Sequence, residues 1–335
     1  MHASKQLRSR SFGQRRALVR STALALLVAA LTSPLGHAQS DHPVKIILPV
    51  ATASGVDTIT RAAQPALSKA LGAPVVVENQ AGAGGIVGTQ ALVKSAPDGM
   101  TLSIVSNNHV IYPSVYKSVP FDPVADITPI AVVGSTPIVL VVNAKVPAKN
   151  AQELIALLKA KPDEMNYGSS GNGTILHLAA AMFLDQAGVK AKHIPYKGVG
   201  PMLTDLLGGQ VDFATAALPS VQQHIKSGAL RAIGVGAAQR VAAASDIPTM
   251  VEQGMPNYLV EGWFAVIGPA KMPPPLVNRI NAAVKETFAS PDVKDAMAKQ
   301  GNTIDVSTPE YAAKFFPSEL AKYAALVKKA GVELQ

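Results

Sequence analysis

VPAKNAQELIALLKAKPDEMNYGSSGNGT (146–174) reads as a helix, a short strand and a glycine-rich turn in succession. Asn150 stands at an N-cap position, and Glu153, three residues on, completes a capping-box spacing. The turn at 168–174 opens a second helix over about 175–187. Downstream the pattern repeats as strand 192–195, helix 200–207, strand 211–215, helix 220–227 and strand 232–236, all βαβ material. Upstream, β-rich apolar runs at 44–48, 75–78, 101–105, 130–133 and 138–142 alternate with Ala-rich helical spacing at 57–71 and 86–94. Strands alternating with helices build parallel sheets, so the chain is α/β.

Two lobes follow from this order. Residues 39–140 with 262–335 form the first and 141–261 the second. The run at 138–142 carries the chain outward. Trp263-Phe264-Ala265-Val266-Ile267 brings it back, followed by PAKMPPP (269–275) and an amphipathic helix over 275–289. Two strands crossing between lobes beside a cleft form a hinge whose natural motion is closure over a solute.

The N-terminus sets the compartment. Lys5, Arg8, Arg10, Arg15, Arg16 and Arg20 precede an apolar run at 23–31, then Pro34 and Gly36-His37-Ala38, with no acidic residue among them. That is a signal peptide, residues 1–38, cleaved after about Ala38 on Sec export to the periplasm. The apolar run is well short of the roughly 20 residues a membrane span needs. Removing it lowers the net charge from +8 to +2, because six basic residues leave and all 22 acidic ones stay. A nearly balanced mature chain of 297 residues offers no basic stripe for nucleic acid. With no cysteine, disulfides, thiol catalysis and cysteine-ligated metals are excluded.

Three small-residue turns each follow a strand and open a helix: 51–57, 81–85 and 168–174. A helix N-terminus offers unpaired N–H groups and a partial positive charge, so such turns accept carboxylates. Glycines here equally serve as ordinary caps and turns. The third turn, Gly168-Ser169-Ser170-Gly171-Asn172-Gly173-Thr174, combines hydroxyls with close backbone approach and is the best anion site of the three. GAGGIVG (82–88) misses the dinucleotide pattern, and no P-loop lysine follows any turn. Gly168-Ser169-Ser170-Gly171 falls one residue short of a nucleophile elbow.

The histidines left after processing are not spaced for metal. His177 either lines the cleft or holds its helix, the second being favoured. His109, beside Asn107 and Asn108 past a strand end, either touches the solute or packs away. Asp57 reads as a helix cap, Asp212 as a partner of loop amides or of ligand, and Trp263 as core or hinge packing in preference to a stacking platform.

The segments VVVENQAGAGGIVG, KSAPDGMTL, FDPVADITPI, NYGSSGNGTILHLAA, YKGVGPMLTDLLGGQVDF and IPTMVEQGMP together resemble the Bug-type receptors of tripartite tricarboxylate transporters, in order along the whole mature chain. The resemblance implies a type II periplasmic-binding-protein fold, a small carboxylate held by backbone amides and water, and delivery to membrane permease subunits. It places binding at Pro49 to Asp57, where Ala53-Ser54 replaces the family's paired glycine, and at Ser169, Ser170, Gly173 and Thr174. With the turn readings this gives Ala53, Ser54, Gly55, Asp57, Gly84, Asn107, Ser169, Ser170, Gly173, Thr174 and Asp212 as the candidate ligand-binding set. Ala214-Thr215-Ala216-Ala217 and Ala181 stand where relatives carry an aromatic residue and acidic ones, which favours a bulkier, aromatic or medium-chain dicarboxylate over aspartate or glutamate. A monomer with no cofactor, metal or catalytic residue is expected. A periplasmic sensor feeding a kinase and an exported α/β enzyme are the competing readings.

Overall fold

The computed structural model describes residues 42–330 together with 332 and 334, so the expected export signal at 1–38 lies outside the described residues. β1 (Val44–Leu48), β2 (Val75–Asn79) and β3 (Thr101–Ser106) pair in parallel in the order β2-β1-β3, joined by α1 (Gly55–Leu71) and α2 (Ile86–Val93). Ser54 caps α1 by accepting the Asp57 N–H, and Gly72, at φ 67°, ends it. After α3 (Asn108–Val115), β4 (Ile127–Asn143) runs outward.

The second sheet pairs β5 (Asn166–Ser169) in parallel with β6 (Lys192–Pro195) and β7 (Phe213–Ala217). Its helices are α4 (Ala151–Ala160), α5 (Ile175–Ala187), α6 (Val199–Gly208) and α7 (Leu218–Lys226), and β8 (Leu230–Val235) closes it. β9 (Glu261–Pro269) returns the chain, followed by α8 (Pro274–Ala289), α9 (Pro291–Lys299), the short β10 (Thr303–Ile304) and α10 (Pro309–Lys329).

β4 is the join. Residues 127–137 pair antiparallel with β9, whereas 138–143 pair antiparallel with β7 and β8. The sequence reading split this strand at Gly134–Pro137; the structure makes it continuous. Register shifts before Ala131 and Gly134 act as bulges that bend the strand instead of ending it. A Cβ on Gly134 would strike the Thr303 carbonyl of β10, so glycine is what lets β10 pair there. Pro137, which has no N–H to donate, falls where the strand exchanges one set of partners for the other.

One apolar core lies under the first sheet around Ile46, Leu48, Ile59, Leu102, Ile130, Phe264 and Val284. The other centres on Leu154, Phe183, Met202 and Phe213 and continues through β4 to Val110, Ile111 and Phe316. The expected α/β architecture of two lobes on crossing strands is present. Helices α3, α9 and α10 were not anticipated, and Pro113 and Pro317 lie inside two of them. Among the described residues no helix is long and apolar enough to cross a membrane.

Candidate functional site

The loops that leave the carboxyl ends of β1, β2, β3, β5, β6 and β7 converge on one cavity of about 590 Å³. That is where open α/β sheets bind ligands. Its walls include Val50, Ser54, Gly55 and Val56 after β1, Gly84 after β2, and Asn107 and Asn108 after β3. The facing lobe supplies Ser170, Asn172, Thr174, Ile175 and Leu176 after β5, Tyr196 to Val199 after β6, and Ala217. Thr136, Gly262 and Trp263 come from the hinge strands.

Helix geometry turns open N–H groups toward this part of the fold, as an anion would require. In α1 the Asp57 N–H goes to Ser54 Oγ and the Thr58 N–H to the Ser54 carbonyl, leaving the Gly55 and Val56 N–H groups without a partner among the described residues. Val199 and Gly200 at the start of α6 leave theirs open in the same way. Ala53 takes φ 63°, a left-handed conformation that costs a non-glycine residue about 1 kcal/mol. Asp57 Oδ2 holds it there by accepting the Ala53 N–H at 3.1 Å, while Oδ1 accepts from Arg61 Nε and Asn79 Nδ2.

The third turn, expected to be the best anion site, is largely satisfied from within. Gly173 N–H donates to His177 Nδ1 at 3.0 Å and Gly171 N–H to Ser169 Oγ. Ile175 N–H, at the tip of α5, donates 2.9 Å across the cleft to Asn108 Oδ1. Ser169 is fully buried and bonded to His193 Nε2 at 2.7 Å. Within the candidate set, Ser54, Gly55, Gly84, Asn107, Ser170 and Thr174 line the cavity, whereas Ala53, Asp57, Ser169, Gly173 and Asp212 stand behind it. Asp212 accepts the Asn166 N–H. Asn107 reaches the wall with its amide already committed: Oδ1 accepts the Trp263 N–H, and Nδ2 donates to the Glu261 carbonyl and to Tyr323 Oη. It clamps the hinge strand to α10. Of the alanines at the substituted positions only Ala217 meets the cavity; 214–216 lie inside the sheet.

Asn108, Tyr116, Lys197 and Trp263 complete the wall without having been singled out as ligand contacts. Tyr196-Lys197-Gly198 carried a usable signal, since it follows one expected strand and opens one expected helix. Both uncertain histidines are structural. His109 is fully buried and its Nε2 lies 2.7 Å from the Pro123 carbonyl, which can only accept, so the ring carries its proton on Nε2. Burial lowers its pKa to about 4. His177 stacks on His193 at 3.9 Å between ring centres; burial, then the neighbouring imidazole, lowers its pKa to about 3, and burial lowers that of His193 to about 4.

The lobes meet across the cavity. A Cβ added to Gly55 would lie 2.7 Å from Ala217 Cβ, and one on Gly173 or Gly198 would strike Val115 or Ala51. The structure is therefore closed, with glycines at the seam.

A larger cavity of about 1060 Å³ lies between α5, α10 and the hinge strands, sharing Ile175, Gly262 and Trp263 with the first. Its walls carry Asp185, Glu261, Asp305 and Glu319 against Lys322 and Lys329, the wrong balance for an anion. The smaller cleft has no acidic residue on its wall and one charged residue, Lys197.

The family model described as "Tripartite tricarboxylate transporter family receptor" matches residues 59–332. Protein BugT of Bordetella pertussis is 36% identical over 296 residues, covering 88% of this chain and 91% of the relative. The structure of periplasmic binding protein BugD superposes with a TM-score of 0.84 at 31% identity, over 88% of this chain and 99% of that one. Rpa4515 of R. palustris, solved with adipate, also gives 0.84, at 28% identity over 88% and 98%.

Proposed function

The chain belongs to the tripartite tricarboxylate transporter receptor family, and on that premise we propose that it is a periplasmic receptor that closes over a dicarboxylate and delivers it to membrane permease subunits. The family is one of solute-binding receptors and not of enzymes. One observation carries the ligand class: unpartnered N–H groups at the starts of α1 and α6 open on a closed cleft with no acidic residue on its wall. An α-amino acid would bring an ammonium group there with no carboxylate to receive it. Adipate in Rpa4515 supports a ligand of diacid chemistry. Ala217 on the wall leaves room for bulk, in keeping with an aromatic or medium-chain diacid. The leader at 1–38 is read as the export signal, the lobes as 39–140 with 262–335 and 141–261, and the receptor as a monomer.

Thermal unfolding of the mature protein against mono-, di- and tricarboxylates, each beside its amide, tests this reading. A cognate acid at a hundredfold excess over Kd adds about 2.7 kcal/mol and raises the midpoint, while its amide leaves the midpoint in place. Equal shifts with acids and amides, or tight binding of glutamate, would overturn it.

A further inference from the structure

We infer that Lys197 makes the cleft select dicarboxylates over monocarboxylates, an inference that rests on the carboxylate-receptor reading above. Two separated positive features belong to the cavity wall. One is the α1 N-terminus on the first lobe, where the Gly55 and Val56 N–H groups are open. The other is Lys197 on the second lobe, the only charged residue on the wall, with no ion pair or hydrogen bond to any described residue.

An unpaired ammonium on a binding wall is ready for an anion that arrives with the ligand. The loop that carries it is held in place, because Tyr196 Oη donates to Asp205 Oδ2 at 2.7 Å. It is also a closing loop: the Gly198 backbone packs against Ala51 of the facing lobe. Closure therefore brings Lys197 to the first-lobe loop, and a ligand with one carboxylate on α1 presents its far end to the second lobe. A monocarboxylate leaves the exposed ammonium to water; a diacid pairs it.

The test measures affinities by calorimetry for linear C4–C8 diacids, benzene dicarboxylates and the half-amide of each, with wild type, Lys197→Met and Lys197→Arg. Wild type should prefer the tightest-bound diacid over its half-amide by about tenfold or more, the range of a charge-assisted hydrogen bond. Lys197→Met should lose that preference by weakening the diacid and sparing the half-amide, and Lys197→Arg should keep most of it. Lys197 is exposed and unpartnered, so the unliganded melting temperature of Lys197→Met should match wild type, and an equal midpoint excludes misfolding as the cause. Equal weakening of diacid and half-amide, or an unchanged preference, would overturn the role of Lys197 and leave the receptor reading standing. Binding of no carboxylate by wild type would overturn the receptor reading itself.

Discussion

Gly55→Val is expected to lower affinity for the cognate acid by about 100-fold or more, nearly 3 kcal/mol, while the unliganded protein keeps its stability to within about 1 kcal/mol. Gly55 is the first residue of α1 and has no positive φ, so an L side chain fits its backbone without strain. What a side chain does not fit is the closed cleft, since even a Cβ would come within 2.7 Å of Ala217 Cβ across the seam. Valine therefore acts against closure and hardly against folding. The cause can be isolated with a double-mutant cycle. Gly55→Ala should weaken binding, and Ala217→Gly in the same chain should recover much of the loss because it removes the atom that collides. Independent, additive effects of the two substitutions on affinity would mean that the seam is not what valine disrupts.

Acidification from pH 7 to about pH 4 is expected to remove several kcal/mol of unfolding free energy. His109, His177 and His193 all have folded pKa values lowered from 6.5, chiefly by burial. The unfolded chain then binds more protons than the folded one between pH 6.5 and about 4. The stability of the neutral buried rings is thus complete above pH 6.5 and is lost as pH falls through that window. Fully buried His109 alone accounts for about 3 kcal/mol, at about 1.4 kcal/mol per pH unit. Its ring sits among Tyr112, Phe121 and Phe316, with Nδ1 buried and unpartnered among the described residues, so burial outweighs the support that the Pro123 carbonyl gives an imidazolium through Nε2. Urea midpoints measured across this range check the slope. His109→Gln keeps an N–H for the Pro123 carbonyl but does not titrate, so it should flatten the slope by about 1.4 kcal/mol per pH unit; an unchanged slope would place the acid sensitivity elsewhere.

These two effects arise from parts of the molecule that differ in how far the sequence discloses them. The lobes, the crossing strands and the turns around the cleft are legible because strand, small-residue turn and helix recur as local patterns. Membership of the wall is less so. Ser169 belongs to a turn that looks ready for an anion, yet it ends β5 inside the sheet and its hydroxyl is taken by His193 and Gly171. Asn107 looks like a contact because it follows a strand end, but tertiary partners on β9 and α10, more than 150 residues away, take its amide. Asn108 and Lys197 matter through what closure brings opposite them, and no local pattern encodes that. The continuity of β4 was hidden by Gly134 and Pro137, which read as breaks in isolation and become a bulge and a partner change once β9 and β10 are beside them.

The position of the bound acid distinguishes the cleft from the larger cavity. In a crystal structure of the mature protein with the acid that most raises its melting midpoint, we expect one carboxylate within about 3 Å of the Gly55 and Val56 N–H groups, enclosed by both lobes. An acid found instead in the larger cavity beside Glu261 and Glu319, with the cleft filled only by water, would contradict it.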